Sequence, residues 1–301
     1  RAANLLASFI IIPMALLLIG ESLIMFWARY NVLWWAIFGQ VIIAGLLIRT
    51  GVAYFNREEL LGRELDTLNL KWAWRTFASA FKGNARSLRE WLRVEIPATT
   101  RRNIIPALIV GAVILAALAI GAFESSQLMI PPELIAWEKM EEGFLEGIEE
   151  FQFLRFFSVE GAAYIVFHNL RTLAGAALVG VFSFGTLAIL VIMLPFVLIG
   201  FVMAAAAQTG LSPVSFFAAF VLPHGIFEIP ALMMAGAAIL RLGAVLATPA
   251  EGKTIGEAWL FTLADFVRTL LVWVIPLLIL AALAEVFLTP RAVMWMLSGA
   301  L

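Results

Sequence analysis

Long apolar runs broken by short polar stretches set the pattern of this chain. A helix needs about 20 apolar residues to cross the hydrocarbon of a bilayer. Leu5–Trp27 qualifies, and Ala28-Arg29-Tyr30-Asn31 separates it from a second run, Val32–Ile48, which predicts a transmembrane hairpin over residues 1–48. Trp27, Tyr30, Trp34 and Trp35 gather at its turn, as aromatic side chains do at a membrane interface. Leu5–Trp27 is longer than the about 7–15 residues of a signal-peptide core, so it is expected to be retained. Ile104–Phe123, Gly161–Phe184, Gly185–Ala207, Ala231–Leu246 and Phe266–Leu288 are further spans. Small residues such as Ala112 and Ala116, and Gly175, Gly180, Gly185 and Gly200, thin these helices for close approach.

Two stretches break the apolar pattern. Residues 49–103 carry eleven Lys/Arg against six Asp/Glu. Leu61, Leu65, Leu68 and Trp72, then Phe77, Phe81, Ala85, Leu88 and Leu92, recur at helical spacing. This predicts amphipathic helices with basic polar faces, suited either to the membrane surface or to a solvated linker domain packed on itself. Residues 124–160 carry nine Asp/Glu against two Lys/Arg. Positive charge marks cytoplasmic loops, so 49–103 is expected inside with the N-terminus, and 124–160 outside. The acidic segment lacks the Asp/Gly spacing of a calcium loop and reads first as a solvated face.

Composition agrees with the runs. Of 301 residues, 63% are hydrophobic and 14% charged, and the mean hydropathy is +0.99. Soluble domains are about 45–50% apolar and about 25% charged, so the fold class predicted is an all-α, polytopic membrane helix bundle of six to seven spans. The net charge of −1 gives no footprint for nucleic acid. The absence of cysteine removes disulfides, thiolate metal sites and cysteine nucleophiles.

Within this apolar chain the informative stretch is Leu222-Pro223-His224-Gly225-Ile226-Phe227-Glu228-Ile229-Pro230-Ala231. An ionised group at a helix centre costs roughly 2.5–3.5 kcal/mol on insertion scales, so His224 and Glu228 need partners. On a helix they share a face at i and i+4. Three roles are open for them: a structural tie, a path for a proton, ion or substrate, or a catalytic or metal site. Pro223, Gly225 and Pro230 predict a broken or re-entrant segment over 214–230, because proline removes a donor and disfavours helix before it. A continuous kinked helix is the alternative. His168, Asn169 and Arg171 form a second polar group inside a span. Arg171 would seek Glu228 or Glu160, or reach a headgroup. Arg241 could snorkel to the cytoplasmic side, and Glu285 is expected near the external interface. A metal site would need three ligands, such as His168, His224 and Glu228. No His-Glu-x-x-His helix, Walker loop or Gly-x-Ser-x-Gly elbow occurs, and neither catalytic residues, metal nor cofactor are expected.

The string Pro223-His224-Gly225-Ile226-Phe227-Glu228-Ile229-Pro230-Ala231, followed by Gly236-Ala237-Ala238 and Arg241-Leu242-Gly243, resembles the signature of the stage II sporulation protein M family. His168-Asn169-Leu170-Arg171 and the glycine-rich helices through Gly200 resemble that family's asparagine-containing and glycine helices, although the family often has two asparagines at His168-Asn169. The resemblance covers roughly Ala98–Leu288, within a domain drawn at 104–301; the hairpin 1–48 and the basic segment 49–103 look like additions. It implies a bacterial cytoplasmic-membrane protein; in spore formers the named member acts in engulfment with peptidoglycan-degrading partners. The function expected here is a non-enzymatic membrane scaffold or complex subunit, with the lipid bilayer and other membrane proteins or its own copies as partners. A channel or transporter component using the His-Glu pair is the runner-up, and an intramembrane hydrolase a third reading.

Overall fold

The computed structural model describes residues 69–127, 157–208, 210–248, 252–296 and 298, with parts of 37–52. Most of the expected hairpin 1–48 and most of the acidic segment 124–160 lie outside the described residues. The described chain is helical: α1 Leu70–Lys82, α2 Leu88–Gln127, α3 Val159–Phe182, α4 Thr186–Gln208, α5 Pro213–Ala247 and α6 Ile255–Trp295. Among the described residues, α2 to α6 are five helices long and apolar enough to cross a membrane. The chain is an all-α, multi-pass membrane protein.

Local chemistry sets the helix ends. Asn69 caps α1 by accepting from the Trp72 N–H at 2.9 Å. At the start of α6, Thr254 Oγ1 accepts from the Glu257 N–H while the Glu257 carboxylate accepts from the Thr254 N–H, a reciprocal capping box. Ser212 caps α5 ahead of Pro213, whose missing N–H costs nothing in a first turn. The α3–α4 turn is tight: Ser183 Oγ donates to the Val179 carbonyl at 2.8 Å and accepts from the Leu187 N–H at 3.0 Å. Phe184 and Gly185 there take positive φ values of 53° and 91°.

Among the described residues, three five-residue π segments interrupt the long helices: Trp91–Glu95 in α2, Phe217–Val221 in α5 and Leu270–Val274 in α6. Each ends two residues before a proline, namely Pro97, Pro223 and Pro276. Proline has no N–H, and its ring collides with the carbonyl one turn back. Widening the preceding turn to an i→i+5 bond relieves that collision; the N–H groups of Ile96, Leu222 and Ile275 donate to Trp91, Phe217 and Leu270. The break expected over 214–230 is therefore corrected. Pro223 produces a bulge and not a re-entrant loop, and Leu222–Ala247 continues as α-helix through Gly225 and Pro230. In hydrocarbon every unpaired backbone group costs several kcal/mol, so the chain keeps its ladder and shifts register instead.

The chain divides into two compact units, and the divisions fall within helices. Unit 1 comprises 1–99, 176–188 and 238–268; unit 2 comprises 100–175, 189–237 and 269–301. In unit 2, Leu173 of α3, Ala231 and Ala235 of α5, and Val274 and Leu278 of α6 form one apolar core. Ala162 and Ile165 of α3 pack on Ala282 and Val286 of α6. Gly121 of α2 lies against the Val197 backbone of α4, and Gly200 of α4 against the Leu118 backbone of α2, so any Cβ at either position would strike main chain. In unit 1 the analogous approach brings Gly243 of α5 onto Gly180 and the Phe184–Gly185 turn.

Candidate functional site

Unit 2 holds the stretch singled out by the sequence. One helical turn separates His224 from Glu228 on α5, and Nε2 lies 3.9 Å from Oε2. That exceeds a hydrogen bond and is a loose contact between half-buried groups. The other ring nitrogen, Nδ1, lies 3.1 Å from Thr289 Oγ1 of α6. Thr289 itself donates to the Ala284 carbonyl at 3.4 Å. With the hydroxyl proton directed there, His224 Nδ1–H donates to Thr289 and Nε2 is the nitrogen that faces Glu228. Glu285 of α6 lies within electrostatic reach of Glu228. Two carboxyl groups, an imidazole and a hydroxyl thus converge from α5 and α6.

The second polar group of the sequence stays on its own helix. Arg171 Nη2 lies 3.5 Å from His168 Nδ1, both exposed on α3, while Asn169 is half-buried. Among the described residues, no hydrogen bond or ion pair joins His168, Asn169 or Arg171 to His224 or Glu228. Of the partners open to Arg171, Glu228 is thus not engaged; the exposed guanidinium lies against His168. No group of three or more His, Cys, Asp or Glu able to hold a metal ion occurs among the described residues.

Sequence reasoning missed a denser cluster, in unit 1. Arg268 of α6 is only 3% exposed. Its Nη2 donates to the Ala80 carbonyl at 2.6 Å and the Phe81 carbonyl at 2.9 Å, and its Nε to Phe81 at 3.1 Å. These carbonyls close the last turn of α1, where a helix leaves acceptors without intrahelical donors and carries partial negative charge. Nη1 reaches Thr99 Oγ1 and Asp265 Oδ1, each at 3.3 Å, and Nη2 lies 3.3 Å from Glu95 Oε2. Thr99 donates to Asp265 at 3.1 Å, and Arg241 of α5 meets the other Asp265 oxygen at 3.1 Å. Arg241 is thus paired with Asp265, at a depth from which the sequence left it able to snorkel.

Glu95 completes the latch. Its carboxylate accepts from the Asn84 N–H at 3.0 Å and fills the space over Gly83, which ends α1 at φ +62°. A side chain at Gly83 would have to displace the carboxylate. Trp91 Nε1 adds a donor to the Phe81 carbonyl at 2.8 Å. Two arginines and two acids neutralise one another, and the guanidinium ties α1, α2 and α6 together. The signal for it was present: Asp265 and Arg268 stand one turn apart in an apolar helix, and buried opposite charges at that spacing imply a pair. Glu285 had no such signal, because its neighbour is on another helix.

Polar side chains also join helices inside unit 2. Asn103 Nδ2 of α2 donates to Thr269 Oγ1 of α6 at 2.8 Å, both fully buried, and Trp273 Nε1 donates to Thr100 Oγ1 at 3.0 Å.

No curated protein and no solved structure matches this chain. The family model for stage II sporulation protein M matches residues 103–290, a stretch that holds His168-Asn169-Leu170-Arg171, the Pro223–Ala231 string and Glu285. With well over half its length matched, and with its apolar helices in that region, the chain belongs to the stage II sporulation protein M family.

Proposed function

We propose that this protein is a non-enzymatic scaffold or complex subunit of the bacterial inner (cytoplasmic) membrane, assembling with other membrane proteins or with its own copies. The N-terminus and residues 49–103 face the cytoplasm, in keeping with their eleven Lys/Arg, and residues 124–160 face outward with nine Asp/Glu. One observation carries the reading. Among the described residues, the buried charges Arg268 and Asp265, with half-buried Glu95, are spent on one another and on the end of α1, so their chemistry fastens helices together. Backbone-to-backbone contact at Gly121 and Gly200 supports the same rigid use of the bundle.

The convergence of His224, Glu228, Glu285 and Thr289 favours a second reading, a channel or transporter component that moves protons or cations. Affinity purification from native membranes, followed by identification of what co-purifies, tests the scaffold. Stoichiometric membrane-protein partners are expected, and recovery of that complex should fall in Glu228→Gln. A Glu228→Gln protein that assembles normally but loses ion flux in liposomes would transfer the argument to the transporter.

A further inference from the structure

We propose that α1 is an interfacial helix that binds the anionic headgroups of the bilayer, with Lys71, Arg75 and Lys82 as its contacts and Leu70 and Trp74 as its apolar anchor.

Depth is the first support. The carbonyls of Ala80 and Phe81 are held by Arg268, which lies at the start of the apolar run Phe266–Leu288. Arg241, joined to the same cluster through Asp265, lies near the end of the apolar run Ala231–Leu246. The C-terminal turn of α1 is thereby fastened at the level where apolar runs of two spans begin or end, which is the edge of the hydrocarbon.

The faces of α1 are the second. At 100° per residue, Ala73, Phe77 and Ala80 lie on the packed side, where Phe77 stacks on Phe81 and Phe81 meets the tilted ring of Trp91. Leu70 and Trp74 flank that side yet are 75% and 68% exposed. Lys71, Arg75 and Lys82 line up on the adjoining face, all exposed. An apolar strip beside a basic strip is the arrangement of a helix lying in a headgroup layer, with tryptophan at the boundary.

Charge is the third. Past Gly83 the exposed Arg86, Arg89 and Arg93 extend the basic surface. Of the two acids in the same stretch, Glu95 is half-buried and held by Arg268 and Asn84, and the exposed Glu90 folds back to accept from the Arg86 N–H at 2.8 Å, so the six cations outnumber the one outward acid. None of the side chains of Lys71, Arg75, Lys82, Arg86, Arg89 and Arg93 has a hydrogen-bond or ion-pair partner among the described residues. Six outward cations beside exposed Leu70, Trp74 and Leu88 match an anionic lipid surface in both charge and polarity.

The chain has no cysteine, so Leu70→Cys gives a single attachment site for an environment-sensitive fluorophore. The full chain is placed in nanodiscs of phosphatidylcholine alone or of phosphatidylcholine with phosphatidylglycerol. The label should be quenched by nitroxide-bearing lipid and shielded from aqueous iodide. Shielding should deepen several-fold with phosphatidylglycerol and weaken in high salt. Charge reversal by Lys71→Glu, Arg75→Glu and Lys82→Glu should abolish the phosphatidylglycerol effect, about fivefold per charge. Neutralisation by Lys71→Gln, Arg75→Gln and Lys82→Gln should do so with less risk to folding. The salt and lipid dependence of the otherwise unaltered chain stands as a test even where a variant fails to fold. A label equally open to iodide in both discs overturns the proposal. So does shielding that ignores lipid charge and disappears on dilution, which would mean that a second copy covers α1.

Discussion

The two units solve the same problem, ionisable groups within an apolar bundle, in opposite ways. In unit 1, Arg268 and Arg241 meet Asp265 and Glu95; the charges cancel, and hydrogen bonds to Thr99 and to the end of α1 occupy the guanidinium of Arg268. In unit 2, two carboxyl groups, Glu228 and Glu285, neighbour each other with an imidazole and a hydroxyl beside them, and among the described residues no arginine or lysine is paired with either. Burying an ion is costly unless a partner of opposite sign and further hydrogen bonds replace its water. Unit 1 meets both conditions, so its charges act as structure. Unit 2 meets them only loosely, at 3.9 Å and from half-buried positions, so its groups are the more available for proton or ion chemistry.

The largest expected effect lies in unit 1. Arg268→Met leaves Asp265 and Glu95 without their shared cation and frees the carbonyls of α1, and should cost about 3–5 kcal/mol, the scale for breaking a buried pair. Unfolding in mixed micelles measures it; a loss near zero would show the cluster to be solvated and erase the contrast between units. Next comes packing in unit 2. Gly200→Val drives a side chain into the Leu118 backbone and should cost about 1–3 kcal/mol or more. Gly175→Ala, with nothing within 4 Å of its added Cβ, should instead stabilise by roughly 0.5–1 kcal/mol. Equal effects at the two glycines would refute the backbone contact between α2 and α4.

Smaller still is Asn103→Leu, which removes the hydrogen bond that the side-chain amide donates to Thr269. Polar pairs in membranes average about 0.6 kcal/mol and reach about 1.7, and the matched double variant with Thr269→Val isolates the pair term. The smallest effect is expected from Glu285→Gln, which keeps the shape of the side chain and removes one of two neighbouring acids. Its stability change should stay below about 1 kcal/mol, the scale of a partly solvated charge interaction. A loss as large as that of Arg268→Met would mean that Glu285 is as structural as the unit 1 cluster.

How much of this could be read along the chain depends on the range of the forces involved. The spans were legible because hydrocarbon thickness sets a length and lipid sets a composition, both local properties. So was the shared face of His224 and Glu228, since four residues make about one helical turn. The response to Pro223 was less so. The sequence announces a missing donor but not whether the chain opens into a loop or widens one turn; the need to pair every backbone group within the bundle chose the π segment.

The family, the all-α membrane class and the apolar runs follow from neighbours along the chain and are legible there. Which distant charges meet is set by packing. Arg268 with Glu95 and the end of α1, Arg241 with Asp265, and Glu285 near Glu228 depend on the relative register of helices. A sliding or rotation of one helix by a single residue would change those partners while leaving every hydrophobic run intact.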